Sequence, residues 1–114
     1  MAVCVFCQII EKKAASRIIY EDDLAVAFED ANPQAPIHTL IIPRKHIAGL
    51  DEARIEDQSI LGHLLLVARR IARDKKIDRT GYRVVANYGV SAGQSIFHFH
   101  LHLLGGRPMH WPPG

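Results

Sequence analysis

Cysteine is scarce in this chain: Cys4 and Cys7 are the only two among 114 residues, which rules out a disulfide framework by count. Long hydrophobic runs are missing as well. Glu11, Arg17 and Asp22 break up the N-terminal half, and Arg69 and Arg70 interrupt the Leu-rich stretch. Nothing therefore reaches the roughly 18–20 continuous apolar residues that crossing a bilayer requires, and no membrane partner is expected. Residues 1–10 carry neither a basic start nor a small-residue cleavage site, so they do not read as a secretory leader, and a cytoplasmic address is the expectation. An excess of one charge is absent too. Lys and Arg number 14 against 12 Asp and Glu, for a formal net charge of +2, too mild to predict a nucleic-acid groove. There are no internal repeats, low-complexity segments or internal linkers.

What is present is ordinary globular usage, 48% hydrophobic and 23% charged. A length of 114 residues has room for one core. Residues 1–114 are thus expected to be a single domain, with 107–114 as a C-terminal tail, and separate cofactor and substrate lobes are excluded. Residues 3–15 place Phe6, Ile9 and Ile10 at near-helical spacing and predict a short N-terminal helix. Two β-prone runs, 17–20 and 24–28, flank Glu21-Asp22-Asp23 and predict a hairpin. Pro33 and Pro36 force 30–36 into a loop, and 38–42 follows as a third strand closed by Pro43.

The spacing of Ile60, Leu64, Val67, Ala68 and Ile71 predicts a long helix from Asp51 or Glu56 to Lys75, with one face on a sheet. Its acidic start and basic end suit the helix dipole, and His63 reads as a plain helix-face histidine. Residues 81–87 and 96–104 complete the set as fourth and fifth strands. The predicted fold class is α+β, a five-stranded antiparallel sheet with one long helix and a short N-terminal helix.

The fifth strand carries the strongest chemical signal. Phe97-His98-Phe99-His100-Leu101-His102-Leu103 alternates without exception, so the three imidazoles are expected on one face and Phe97, Phe99, Leu101 and Leu103 in the core. Two chemistries fit such a row. Neutral imidazole can attack phosphorus or act as a general base near pH 7, or His-x-His can supply two ligands to a catalytic zinc. The preceding loop favours phosphate chemistry: Gly89 and Gly93 allow backbone N–H groups to turn toward a ligand, and Gln94 and Ser95 add neutral donors, together an expected anion nest.

His98-Phe99-His100-Leu101-His102-Leu103-Leu104 resembles the signature of the histidine triad (HIT) family. The resemblance extends to Asp30-x-x-Pro33-x-Ala35-Pro36-x-His38, to Ile42-Pro43-x-x-His46, to Asn87, and to Gly93-Gln94-Ser95. With Gly105-Gly106-Arg107-Pro108-Met109-His110-Trp111-Pro112-Pro113-Gly114 it looks most similar to the purine nucleoside phosphoramidase branch. The resemblance implies a HIT-like fold and a two-step nucleotidyl transfer: His100 attacks the α-phosphorus of a nucleoside phosphoramidate (AMP-amine type), an amine leaves, and water releases the nucleoside monophosphate. It gives His102 to a phosphoryl oxygen and His38 to orienting the same phosphate, with His98 completing the catalytic strand. It further places Asp30 on the ribose hydroxyls with Ala31 beside it, Val5, Phe6, Ile9 and Phe28 around the base, and Asn87, Gly93, Gln94 and Ser95 in the nucleotide pocket. Phe6, Ile9 and Phe28 are equally what a plain core would need. Purine nucleotides of the AMP or GMP type are the implied ligands, with no catalytic cofactor.

Cys4-x-x-Cys7 reads as metal or redox work, or as a reduced pair with neither. A tetrahedral site needs two more ligands, and the resemblance offers His46 and His98, which would make the metal a structural Zn2+. The branch resembled also sends its C-terminal tail, here Trp111 included, toward a partner's active site, implying a homodimer through the long helix and strand four. Two alternatives stay open: a dinucleoside polyphosphate hydrolase, and a nucleotide-binding interaction protein with incidental hydrolase activity. Ala92, Tyr88 and Ala31 depart from the family pattern, the first two in the phosphate loop and the third after the ribose-binding Asp.

Overall fold

The structure is a computed structural model that describes residues 4–114; Val3, the expected start of the first helix, lies outside the described residues. The elements are α1 (Val5–Ile10), β1 (Ile18–Glu21), β2 (Ala25–Glu29), β3 (Ile37–Pro43), α2 (Gln58–Asp74), β4 (Tyr82–Val85) and β5 (Leu101–Gly105). The strands form one five-stranded sheet in the order β1-β2-β3-β5-β4, every neighbouring pair antiparallel. The α+β sheet with one long and one short helix is as the sequence predicts.

Period-2 alternation sorts the side chains onto two faces. Ala25, Ala27, Ile41, Leu101 and Leu103 meet α2, whose Leu64, Val67, Ala68, Ile71 and Ala72 recur at helical spacing and are buried. Val26, Phe28, Leu40 and Ile42 face the other way and form a smaller cluster with Phe6 and Ile9 of α1. His38 and His102 have the parity of that second face, as His102 pairs with Leu40, and His38 with Leu104, across β3 and β5.

Two boundaries differ from expectation for clear physical reasons. α2 begins at Gln58 rather than at Asp51 or Glu56, because two 3-10 turns, Leu50–Glu52 and Ile55–Asp57, occupy the acidic stretch. β5 begins at Leu101 rather than at residue 96. The partner strand β3 stops at Pro43, which has no N–H to continue a ladder, and its carbonyl accepts from His98 Nε2 at 2.8 Å. The preceding stretch is held instead by the Phe99 N–H, which donates to the Ile47 carbonyl at 2.6 Å. Phe97, expected in the core, is 56% exposed as a result. His63, read as a plain surface residue, clamps α2 to the β1–β2 turn: its Nε2 and the Tyr20 hydroxyl both reach Asp22 Oδ2 at 2.6 Å. Asp22 Oδ1 accepts from the Leu24 and Ala25 N–H groups at 2.8 Å. Burial alone would raise this carboxyl, yet the four donors hold it well below the usual carboxylate range.

Candidate active site

A cavity of about 670 Å³ opens on the α1 side of the sheet. Val5, Phe6 and Ile9 from α1 and Phe28 and Leu40 from the sheet form its apolar walls, with Asp30 and Ala31 at one margin and Ser95, His100 and His102 at another. Phe6, Ile9 and Phe28 are thereby both core and wall. The Phe6 ring meets the Phe28 ring edge-on at 5.3 Å and the His100 ring at 5.2 Å, bracing the imidazole from the apolar side.

Hydrogen bonds fix the neutral tautomers of His38, His102 and His100. The Gln34 N–H donates to His38 Nδ1 at 3.0 Å, so neutral His38 carries its proton on Nε2. That proton faces His102 Nδ1 at 2.9 Å, with Asp30 Oδ2 at 3.3 Å. His102 Nδ1 is therefore an acceptor, and His102 presents an Nε2–H donor. Burial pushes His102 down to about 4, with the nearby His100 and His38 rings adding to the effect and Asp30 opposing it. Burial lowers His38 as well, against Asp30 and Glu29. Both rings are neutral near pH 7, as the chain requires.

His100 runs the opposite way. Its Nδ1 lies 2.8 Å from the His98 carbonyl oxygen, which can only accept, so Nδ1 holds the hydrogen and Nε2 keeps its lone pair. Side by side in the cavity stand one imidazole with a free lone pair and one with an N–H donor, rings 5.1 Å apart. That pairing suits attack by the first on an electrophile whose developing negative charge the second stabilises.

Other expected residues sit differently. His38 is 5% exposed and lies behind His102 rather than in the cavity wall. The expected nest is partly turned inward: the Gly93 N–H donates to the Val90 carbonyl at 3.0 Å and the Gln94 N–H to the Gly89 carbonyl at 3.0 Å. The Gln94 amide accepts from the Gly89 N–H at 2.9 Å and donates to the Ala48 carbonyl at 2.9 Å, so this side chain shapes the loop instead of offering a donor. Ser95 alone of the three lines the cavity. Asn87 is half-buried outside the cavity wall, and Trp111, 82% exposed, does not reach the cavity of its own chain. Sequence reasoning missed Leu40 and Ile96 in the wall and Ala15, Ser16, Arg17 and Glu29 at the rim. Leu40 was legible from its inward parity with His38; the rim residues carried no signal.

Cys4, Cys7, His46 and His98 converge at the N-terminus of α1. Cys4 and Cys7 Sγ lie 3.4 and 3.6 Å from His98 Nδ1, Cys7 Sγ lies 3.3 Å from His46 Nδ1, and the two Nδ1 atoms are 3.1 Å apart. Tetrahedral zinc with Zn–S of about 2.3 Å and Zn–N of about 2.0–2.1 Å holds its ligand atoms roughly 3.3–3.8 Å apart, close to this spacing. His98 donates Nε2–H to Pro43 and so aims the Nδ1 lone pair at the cluster, the orientation a ligand needs. Burial pushes His98 down to about 4, the Pro43 carbonyl notwithstanding. Burial and the neighbouring Cys4 push the Cys7 thiol up to about 11, a shift that a bound cation would reverse by favouring the thiolate. The donor set fits a four-ligand metal. Asp30, His38 and His102 also lie within ligand range, but His38 Nε2 and His102 Nδ1 are committed to each other, which makes that group a hydrogen-bond chain.

Fold and site together define a small α+β protein with oppositely polarised histidines at the mouth of an apolar cleft. The family described as scavenger mRNA decapping enzyme C-term binding matches residues 3–111. An uncharacterized HIT-like protein of Synechocystis is 51% identical over 110 residues, covering 96% of each chain. Among solved structures, a HIT family hydrolase from Legionella pneumophila superposes with a TM-score of 0.96 at 43% identity, covering 98% of this chain and 100% of its own. A histidine triad nucleotide-binding protein from Candida albicans gives a TM-score of 0.83 at 31% identity, covering 98% of this chain and 85% of that one. The chain belongs to the histidine triad family.

Proposed function

We propose that this protein is a nucleoside phosphoramidate hydrolase working through a nucleotidyl-His100 intermediate. The observation that carries the reading is the 2.8 Å contact from His100 Nδ1 to the His98 carbonyl, which in the neutral ring places the hydrogen on Nδ1 and the lone pair on Nε2, in a side chain that lines the cavity. Nε2 attacks the α-phosphorus, a P–N(histidine) bond forms, and the P–N bond to the amine breaks with its electron pair. The amine departs after taking a proton from solvent. Water then attacks, the P–N(histidine) bond returns its pair to Nε2, and a proton goes back to solvent with the nucleoside monophosphate. His102 Nε2–H and Ser95 serve the phosphoryl oxygens, while the positive charge that the imidazole carries once bonded to phosphorus makes it a good leaving group in the second step. Relatives named as a HIT family hydrolase and a histidine triad nucleotide-binding protein support this reading.

The apolar walls suit a purine base and Asp30 suits the ribose hydroxyls. Zinc at Cys4, Cys7, His46 and His98 would be structural, since four protein ligands leave no open position; it would pin α1 to the segment bearing His100. A homodimer is also part of the proposal. β4 is an edge strand, and beside it Leu50, Leu61, Leu65, Val84 and Ala86 line an apolar groove of about 320 Å³. Leu65 and Leu66 are each 53% exposed, the kind of patch that a second copy covers.

The test offers adenosine phosphoramidate to the wild type and to His100→Ala, with acid quench to trap the nucleotidyl-protein. Wild-type turnover at least about 10² above the mutant, with an adduct only in the wild type, is the expected result. Equal rates, or an adduct on His100→Ala, would reject the reading.

A further inference from the structure

The C-terminal tail departs from β5 beside the loop that carries Asp30. Gly106 sits so close to Pro36 that an added Cβ would lie 2.9 Å from Pro36 Cβ, and its φ of 88° belongs to the left-handed region that glycine supplies freely. Arg107 follows. Its Nε and Nη2 both donate to the Gln34 carbonyl, at 3.2 and 3.0 Å, while Nη1 donates to the Pro108 carbonyl at 3.0 Å. Gln34 is the residue whose N–H donates to His38 Nδ1 at 3.0 Å. The loop is tied within itself as well, by the Gln34 side chain on the Asn32 carbonyl at 3.1 Å and the Asn32 N–H on Asp30 Oδ1 at 2.8 Å.

We infer that Arg107 is a positioning residue for the active site: by chelating the Gln34 carbonyl it holds the Gln34 N–H against His38 Nδ1, and so fixes the proton order along His38 and His102. Without that N–H, only the longer 3.3 Å contact of Nε2 with Asp30 Oδ2 still favours the original tautomer, and His38 gains a form with its hydrogen on Nδ1. His38 Nε2 would then accept from His102 Nδ1–H, and His102 would turn a lone pair, not a donor, toward a phosphoryl oxygen. A guanidinium outside the cavity thereby decides whether a nitrogen inside it repels or stabilises anionic charge. The catalytic consequence rests on the proposed phosphoramidate hydrolysis; the tautomer consequence does not.

The experiment reads both separately. Imidazole nitrogens are observed by NMR in uniformly 15N-labelled wild type, Arg107→Ala and Arg83→Ala. Arg83 anchors the same tail farther on, donating to the His110 carbonyl at 2.8 Å, and so controls for simple loosening of the tail. In the wild type, His38 Nδ1 is expected to resonate as an unprotonated acceptor and Nε2 as protonated. In Arg107→Ala the two signals move toward each other, while Arg83→Ala leaves them in place. Adenosine phosphoramidate kcat is expected to fall about tenfold in Arg107→Ala with KM within about twofold, since the lost stabilisation belongs to the transition state. His38 signals unchanged in Arg107→Ala, or shifted equally by both variants, would overturn the inference. Absence of wild-type turnover would reject the proposed reaction instead, leaving the nitrogen signals to decide the role of Arg107.

Discussion

His38 Nε2 lies 2.9 Å from His102 Nδ1, on the sheet face opposite the long helix, joining a buried ring to one that lines the cavity. This bond gives His102 its polarity. His102→Ala should lower kcat about 10²–10³-fold, as removal of one donor to a developing oxyanion typically does. Because His100 remains, the nucleotidyl-protein adduct should still form, more slowly. Rapid-quench kinetics would measure the rate of its appearance; a wild-type rate would exclude His102 from phosphoryl stabilisation.

Asp30 lines the cavity and directs Oδ1 to the Asn32 N–H at 2.8 Å, leaving Oδ2 near His38. Asp30→Ala should raise KM for a ribonucleoside phosphoramidate about tenfold or more, since the ribose hydroxyls lose a charged acceptor. The 2′-deoxy analogue should be affected less. Comparing kcat/KM for the two substrates in both proteins gives the ratio, and a preserved preference for ribose would argue against the assignment.

The Cys4, Cys7, His46 and His98 cluster makes a prediction about metal. Protein purified without chelator should contain roughly one zinc per chain by mass spectrometry, and Cys7→Ser should lose it and melt at lower temperature. Brief chelator treatment that leaves zinc bound should not affect turnover, because no open coordination position faces substrate. Zinc-free wild-type protein with an undiminished melting temperature would rule the site out.

Asp22 sets an acid limit on stability. Its folded carboxyl is held below the usual range, against about 3.9 when unfolded. A depressed carboxyl stabilises the fold above the unfolded value, and that contribution declines as pH falls below about 4 toward the folded value. Asp22→Asn should therefore cost about 1–3 kcal/mol at pH 7, and the gap to wild type should narrow below pH 4. Urea unfolding of both proteins across that range measures it; a gap independent of pH would remove the charge from the explanation.

Much of this was legible in sequence because it rests on periodicity and on breakers. The parity of Leu101 and Leu103 against His102, the spacing of Leu64, Val67 and Ile71, and the punctuation by Pro33, Pro36 and Pro43 foretell the sheet, the long helix and the loop between them. What sequence does not carry is which polar group takes which partner. Gln94 looked like a donor to substrate, yet its amide is spent on Gly89 and Ala48. His63 looked idle, yet forty-one positions separate it from the Asp22 it binds. The extent of β5 was overestimated for the same reason: alternation persists through His98, but a ladder needs a facing strand, and β3 ends at Pro43.

Phe6 belongs at once to the smaller apolar cluster and to the brace behind His100. The side chain that braces His100 thus sits on a helix of six residues, an element far shorter than the one securing the opposite face. Heat or mild denaturant should lift this flap first, so that catalytic power fades while the sheet is still intact, and enzyme inactivation runs ahead of global melting.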